Sequence, residues 1–438
     1  MPTNVLPKKN YLFCMILIDG QMGSRYNKGW NIYEVGSMKY LVVLCDGMAD
    51  TPVAALGGKT PMEAARKPNM DRLARAALVG TARTVPPGMH PGSDVANLSA
   101  LGYRPAACYT GRSPLEAASM GIDLRPDQYA VRCNLVTLSG ETDYRNKRME
   151  DYCAGDISTG EARQLVEWMD RQLPEGMRLY PGVSYRHCLV WDNPAEDLGG
   201  LTPPHDISGK TVGGFLPDPE KAGPLLEWME KSSLLLEDHP VNRARKAAGK
   251  RPANSLWFWG QGRRAALEPF SGKFGVKGSV ISAVDLIKGI GVLAGMEVLD
   301  VPGATGYIDT NFAGKAAAAE DAFRRGSDFV YVHLEAPDEC GHRGETENKV
   351  RSVERIDEQV LGPLLRYLEG QGEFRVLVMP DHPTPLATMT HSAEPVPFLL
   401  YDSAKPETGA ARFTEAEAAR GPYLDDASRL MELLILRK

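Results

Sequence analysis

Apolar runs of strand length, each followed closely by an aspartate, constrain this chain more than any other feature of its sequence. Tyr40–Cys45, Asp328–Leu334 and Phe374–Met379 are such runs, and a fourth run, Pro397–Tyr401, comes later. A long amphipathic pattern over residues 345–369 predicts a helix between the second and third runs. Continuous apolar runs are typical of strands buried on both faces of a parallel sheet. Their alternation with helices predicts an α/β fold with a mostly parallel sheet flanked by helices.

Histidines lie close to the aspartates that follow two of these runs. Asp338 precedes His342 by four residues, Asp381 is followed at once by His382, and His391 comes nine residues after His382. Loops at the carboxyl ends of parallel strands converge, so we expect the following side chains to meet: Asp46, Asp338, His342, Asp381, His382 and His391. Carboxylates and imidazoles together favour a two-metal site. Taken singly, each histidine is better explained as an ordinary loop residue, and only their joint occurrence at strand ends favours metal binding.

The spacing of Asp338 and His342 allows two local conformations. On a helix, residues four apart share one face. Because the pair follows a strand and includes Gly341, we expect instead a turn that folds both side chains toward one ion.

Ser93 is the candidate nucleophile. It follows Pro91-Gly92 and comes directly before a predicted helix over residues 94–100. A hydroxyl at a helix start lies near free backbone amides, which favour an incoming phosphate. A divalent ion on that hydroxyl would lower its pKa and activate it. The same geometry suits a helix N-cap, and sequence alone leaves both interpretations open.

Composition excludes several classes of protein. The 438 residues give room for two or three domains of about 150 residues each. The net charge is −6 and no basic stripe is interleaved with aromatic residues, which argues against nucleic acid as a partner. The apolar runs are too short for a membrane helix. The seven cysteines are scattered without a Cys-x-x-Cys pair, which predicts reduced thiols and a cytoplasmic protein.

Residues 1–37 are expected to be a leader that is not part of the fold. The apolar stretch Leu12–Ile18 follows Lys8-Lys9, as in a signal peptide, but it is short and no small-residue cleavage site follows it. A separate hypothesis is that synthesis begins at Met38, because Glu34-Val35 can be encoded by GAG-GTN, which resembles a ribosome-binding site.

The middle of the chain is predicted to be an insertion. The metal-binding domain is assigned to residues 38–125 and 251–438, and an inserted substrate domain to residues 126–250. Within the insertion the predicted elements are strands over residues 129–138 and 186–191 and helices over residues 161–173 and 222–236. Stretches rich in proline and glycine separate these elements.

Three residues are candidates for binding an anionic substrate. Arg112 lies in the segment YTGRSP, Arg186 precedes His187, and His205 lies between prolines and Gly209. Guanidinium groups bind carboxylate and phosphate bidentately. For each residue, a solvated surface charge is an equally good explanation.

Five segments give the chain a resemblance to a known family. They are LCDGMAD at 44–50, PGSDVANL at 91–98, YTGRSPLEAA at 109–118, HLEAPDECGH at 333–342 and PDHPTP at 380–385. These motifs resemble the archaeal-type cofactor-independent, or 2,3-bisphosphoglycerate-independent, phosphoglycerate mutases of the alkaline phosphatase superfamily. The resemblance covers the chain from Met38 almost to its end. Cys340 departs from the pattern, because a small residue such as alanine is expected there.

The resemblance implies an alkaline-phosphatase-like sheet with an inserted smaller α+β domain. It also implies two divalent ions, Mn²⁺, Zn²⁺, Co²⁺ or Mg²⁺, and no 2,3-bisphosphoglycerate. By motif, one ion would be held by Asp338, His342 and His391, and the other by Asp46, Ser93, Asp381 and His382.

The implied reaction is the interconversion of 3-phosphoglycerate and 2-phosphoglycerate, a small phosphorylated carboxylate, through a phosphoserine at Ser93. Two alternatives use the same site: a homoserine kinase, proposed for a bacterial subgroup with similar motifs, and a phosphatase. A metal-stabilised binding protein without turnover is a third, which Ser93 argues against.

Overall fold

The computed structural model describes residues 38–437, so the predicted leader lies outside the described residues. The described residues form thirteen strands: β1 (Lys39–Cys45), β2 (Ala77–Ala82), β3 (Gln128–Leu138), β4 (Met149–Asp151), β5 (Met177–Tyr180), β6 (Arg186–Asp192), β7 (Ser255–Arg263), β8 (Gly278–Ile281), β9 (Glu297–Leu299), β10 (Phe329–Leu334), β11 (Phe374–Met379), β12 (Val396–Asp402) and β13 (Tyr423–Leu424).

The helices of the same residues are α1 (Pro61–Ala64), α2 (Pro68–Ala74), α3 (Ser93–Ala100), α4 (Pro105–Cys108), α5 (Ser113–Ser119), α6 (Thr159–Asp170), α7 (Pro219–Glu237), α8 (Pro240–Ala247), α9 (Phe270–Phe274), α10 (Asp285–Leu293), α11 (Phe312–Arg324), α12 (Ala336–His342), α13 (Thr346–Ile356), α14 (Gly362–Glu369), α15 (Glu415–Ala418) and α16 (Arg429–Met431). None of these helices is long and apolar enough to cross a membrane.

An eight-stranded sheet carries the three runs that precede aspartates. Its order is β13-β2-β12-β11-β1-β10-β8-β9. The five strands from β11 to β9 are parallel, whereas β12 runs antiparallel to both of its neighbours. The predicted α/β class with a mostly parallel sheet is confirmed.

The central strand β1 is buried on both faces, as its continuous apolar sequence requires. Leu41 and Val43 pack into the hydrophobic core on one face of the sheet, and Val42 and Leu44 pack into the core on the other. All four side chains are fully buried. Burying one such side chain contributes roughly 1.5–3 kcal/mol, so the run fixes β1 in the middle of the sheet.

The predicted helix over residues 345–369 is present as α13 and α14, joined through a turn of π-helix at residues 357–361. Asp357 lies in that turn and accepts hydrogen bonds from the backbone N–H groups of Asn69 and Met70, at 3.1 and 2.7 Å. These bonds tie the helix to the start of α2.

A second, antiparallel sheet is built from the middle of the chain. β3 pairs with β4, β6 and β7, and β5 pairs with β6. Its core includes side chains from α6 and α7. The predicted elements of the middle region are all present, and β7 extends this sheet beyond residue 250.

Candidate active site

Three neighbouring strand ends position the candidate metal ligands. β1 lies between β10 and β11, so the loops that follow these strands leave the same edge of the sheet. Asp46 follows β1 directly, and Asp381 and His382 follow β11. All three are buried, with at most 1% of their surface exposed. Asp338 lies in α12, after β10, and is also buried.

The first group of donors consists of Asp338, His342 and His391. His342 Nε2 lies 2.9 Å from His391 Nε2 and 3.3 Å from Asp338 Oδ2, and His391 Nε2 lies 3.4 Å from Asp338 Oδ1. The expected turn at residues 338–342 is wrong. The segment is helix α12, which has Pro337 in its first turn, and its 3.6-residue period brings Asp338 and His342 to one face.

The tautomer of His342 is set by its second nitrogen. Nδ1 lies 3.0 Å from the carbonyl oxygen of Met389, which can only accept, so Nδ1 carries the hydrogen when the ring is neutral. Nε2 then presents its lone pair to the first group. Without an ion, a hydrogen bond with Asp338 raises the pKa of His342 to about 9.

The second group consists of Asp46, Asp381 and His382, together with Ser93. His382 Nε2 lies 3.5 Å from Asp46 Oδ1, 3.4 Å from Asp381 Oδ2 and 3.1 Å from Ser93 Oγ. The His382 nitrogens also come within 4.8 Å of donors in the first group, so the two groups are adjacent.

The carboxylates of the second group favour a bound cation. Asp46 Oδ1 is buried and has no hydrogen-bond partner among the described residues. Burial, followed by the charges of Asp381 and Asp338, raises the pKa of Asp46 well above its usual range. A divalent cation would supply the missing partner and relieve the repulsion between the carboxylates. The donor set therefore fits divalent metal ions.

Ser93 is not a helix cap. It is the first residue of α3, whose N-cap is Gly92, and no side chain caps the helix. Its hydroxyl instead contacts His382 Nε2. The N-cap interpretation of Ser93 is therefore wrong, and its role as the nucleophile stays a prediction.

Asn97, which the sequence did not single out, connects the serine to the ligands. Its side-chain amide donates to the backbone oxygen of Ser93 and to Asp381 Oδ2, both at 2.8 Å. Its own oxygen accepts from the Tyr331 hydroxyl at 2.6 Å. Asn97 lies four residues after Ser93, one helical turn on, which is the only sequence signal that could have indicated it.

Two further buried residues support the loops. His333 Nε2 lies 2.9 Å from Asp46 Oδ2, and burial lowers the pKa of His333 to about 3, so the ring is neutral and holds that carboxylate oxygen. Lys349 donates to Asp50 and to the carbonyl of Thr384, both at 2.7 Å, which anchors the loop after β11. The contact between His333 and Asp46 joins residues more than 280 positions apart in the chain. Sequence spacing does not reveal such a contact.

A cavity of about 720 Å³ lies beside the cluster. Its lining includes the predicted Arg112 and Arg186, and Arg132, which was not predicted. Glu116 pairs with Arg112 at 2.8 Å and with Arg132 at 3.0 Å, and the Arg132 guanidinium lies 3.9 Å from the centre of the Trp259 ring. The cavity is lined by four arginines and four carboxylates, so its positive charges are interspersed with acidic groups.

His205 is not among the residues that line this cavity. Its ring packs edge-on against Trp259, with 5.3 Å between ring centres. The indole thus contacts both His205 and Arg132, and a substrate contact for His205 stays a prediction.

Comparison with known proteins agrees with the motifs. Residues 74–242 match the family model described as 2,3-bisphosphoglycerate-independent phosphoglycerate mutase. A probable mutase of this type from Geobacter sulfurreducens is 50% identical over 403 residues, covering 91% of this chain and 100% of the relative. The corresponding mutase from Methanothrix thermoacetophila is 50% identical over 401 residues, again covering 91% of this chain and 100% of the relative.

Solved structures show the same relationship. A protein from Pyrococcus horikoshii superposes with a TM-score of 0.76 at 29% identity, covering 92% of this chain and 99% of that one. A cofactor-independent phosphoglycerate mutase from Thermoplasma acidophilum superposes with a TM-score of 0.64 at 27% identity, covering 91% and 99%. The resemblance seen in the motifs is confirmed: this chain belongs to the family of 2,3-bisphosphoglycerate-independent phosphoglycerate mutases.

Proposed function

We propose that this protein interconverts 3-phosphoglycerate and 2-phosphoglycerate by passing the phosphoryl group through Ser93. The observation that carries the proposal is the position of the Ser93 hydroxyl, 3.1 Å from His382 Nε2 and within the aspartate and histidine cluster. A structural serine would cap α3, and this one does not. Family membership supplies the substrate class.

Two divalent ions complete the site in this proposal. Asp338, His342 and His391 hold one, and Asp46, Asp381, His382 and the Ser93 oxygen hold the other. The mixture of carboxylate and imidazole ligands suits Mn²⁺, Zn²⁺, Co²⁺ or Mg²⁺. When bound, the ions lower the pKa of the serine hydroxyl and stabilise negative charge on the transferring phosphoryl group.

The protein's own residues orient the reaction. Ser93 Oγ attacks phosphorus and the glycerate oxygen leaves and takes up a proton, which forms phosphoserine and free glycerate. The other glycerate hydroxyl then attacks the phosphoserine, loses its proton and restores Ser93. The amino end of α3 favours the phosphoryl group with its free N–H groups. Arg112 and Arg186 bind the substrate carboxylate from the cavity.

We further propose that the middle of the chain forms a substrate domain within the metal-binding domain, as its separate sheet and core suggest. Because β7 pairs with β3, we place the end of that domain after Arg263 rather than at residue 250. The pairing of Glu116 with Arg132 of β3 supports an arginine pocket that spans the boundary.

The test is an enolase-coupled assay of metal-loaded protein with 3-phosphoglycerate and no 2,3-bisphosphoglycerate. We expect steady formation of phosphoenolpyruvate, which is lost when this protein is stripped of metal with EDTA and desalted before the assay. Parallel reactions contain ATP with homoserine, and 3-phosphoglycerate with phosphate detection alone. Product only in the kinase reaction, or only free phosphate, would overturn the mutase proposal.

A further inference from the structure

The carboxylates that line the cavity differ in whether they have partners. Four line it: Glu116, Asp285, Glu335 and Glu339. Glu116 is held by two arginines, Glu339 pairs with Arg343 at 3.3 Å, and Asp285 is exposed. Among the described residues no hydrogen bond or ion pair reaches the Glu335 carboxylate, although that side chain is largely shielded from solvent.

Glu335 lies where the cavity meets the metal ligands. It is the N-cap residue of α12, and its backbone oxygen accepts from the Asp338 N–H at 3.0 Å. Its charge acts on both Asp46 and Arg112, and it lines the cavity together with the arginines.

The side chain of Glu335 packs against Gly306. A Cβ atom built on Gly306 would lie 2.2 Å from Glu335 Oε2 and 3.0 Å from its Cδ. Any larger residue at position 306 would therefore push the carboxyl group aside. Both residues line the cavity.

The chemistry of the substrate indicates what this acceptor contacts. The phosphate and carboxylate of phosphoglycerate are anions, which suit the metals and arginines and which a second carboxylate would repel. The remaining group, the free hydroxyl, is a neutral donor that needs an acceptor. A carboxyl group offers that acceptor, because in either protonation state one of its oxygens can accept.

We propose that Glu335 binds the free hydroxyl of the glycerate moiety and holds glycerate in the site while Ser93 carries the phosphoryl group. This inference rests on the proposed mutase function. In this role Glu335 retains and orients the glycerate intermediate. Replacement of Glu335 therefore allows a side reaction. Glycerate escapes, water attacks the phosphoserine, and inorganic phosphate leaves as the Ser93 hydroxyl is restored.

The experiment measures inorganic phosphate and 2-phosphoglycerate formed from 3-phosphoglycerate by metal-loaded protein. In Glu335→Ala we expect the ratio of phosphate to 2-phosphoglycerate to rise at least about 10-fold, since a hydrogen bond to a charged group is lost. Gly306→Ala keeps the carboxyl but displaces it, and should shift the ratio in the same direction. Glu347→Gln, on the exposed surface of α13 and not among the residues that line the cavity, is the matched control and should leave the ratio unchanged.

A second measurement isolates the hydroxyl. The analogue 3-phosphonooxypropanoate lacks it, so Glu335→Ala should weaken binding of 3-phosphoglycerate but not of this analogue.

Ratios within about twofold of the wild type in both Glu335→Ala and Gly306→Ala, with metal content and Tm preserved, would overturn the inference. So would an equal rise in Glu347→Gln, or equal weakening of both ligands. If either Glu335→Ala or Gly306→Ala does not fold, the ratio measured for the other variant still tests the inference. Wild-type protein without mutase activity would instead refute the proposed function, so the two failures are distinguishable.

Discussion

The ligand cluster and the arginine cavity are adjacent but are built differently. The cluster comes from the segments that follow three neighbouring strands, together with Ser93 of α3, and its neighbouring donors lie 2.9 to 3.5 Å apart. The cavity combines α5, β3, β6 and loops of the central sheet, and the Arg112 side chain is 44% exposed. In the proposed mechanism the central sheet positions the groups that move phosphate, whereas the second sheet and its neighbours bind the rest of the substrate.

If the cluster carries the chemistry, removal of its nucleophile should have the largest effect. We expect Ser93→Ala to lower kcat at least about 10³-fold, because no phosphoserine can form. Metal content should stay near that of the wild type. Ser99→Ala, a buried serine on the same helix, is the control and should retain activity. Normal turnover in Ser93→Ala would refute the mechanism for any substrate.

Asp46→Asn tests whether the cluster is a metal site. The amide keeps the shape but removes the charge from the unpartnered oxygen, so we expect about one bound ion per chain to be lost and kcat to fall roughly 10²-fold or more. Mass spectrometry of metal content after dialysis, beside the steady-state rate, measures both. Unchanged metal content would contradict the assignment of this oxygen as a ligand.

Asn97 should matter less, because it acts through Ser93 and Asp381. Asn97→Ala is expected to lower kcat about 10- to 100-fold with little change in KM. Tyr331→Phe, which removes only the hydroxyl that Asn97 accepts from, should have a smaller effect in the same direction. A KM change that exceeds the kcat change would place Asn97 with the cavity instead of the cluster.

Arg112 belongs to the other region, so its loss should have the opposite signature. We expect Arg112→Lys to raise KM about 10-fold while kcat changes little, because lysine cannot reproduce a bidentate contact with a carboxylate. Arg104→Lys, an exposed arginine away from the cavity, is the control. A fall in kcat larger than the rise in KM would contradict the distinction between the two regions.

The smallest effect concerns stability at the cavity wall. Burial, then the charge of Arg186, lowers the pKa of His187 to about 3, against about 6.5 in an unfolded chain. Between these values the unfolded chain binds a proton that the folded chain does not, so stability present above pH 6.5 is lost as the pH falls. His187→Asn should make the free energy of unfolding depend less steeply on pH between 6 and 4, measured by urea titration. An unchanged slope would contradict a buried neutral His187.

The cluster was largely predictable from sequence, and the cavity was not. Asp46, Asp381 and His382 lie within three residues of apolar runs, and parallel strands bring such positions together whatever the rest of the chain does. The register of β3 with β7, by contrast, joins residues more than a hundred positions apart, and no local pattern indicates it.

The residues that sequence analysis missed share one property. His333 and Asn97 contact residues that are distant in the chain, and the Glu335 carboxylate has no hydrogen-bond partner among the described residues. Neither kind of feature has a fixed spacing in the sequence. The turn expected at Asp338–His342 failed for a related reason. Gly341 predicts a turn, but the buried side chains of α12 stabilise the helix by more than the modest cost of a glycine within it.

The central claim is that Ser93 carries the phosphoryl group, and an acid quench tests it most directly. Metal-loaded protein is mixed with 3-phosphoglycerate, quenched in acid within milliseconds, digested and analysed by mass spectrometry. The account predicts a phosphate on the peptide that contains Ser93, which disappears on chelation of the metals and is absent from Ser93→Ala. Turnover to 2-phosphoglycerate with an unmodified Ser93 peptide, or with phosphate on another residue, would contradict it.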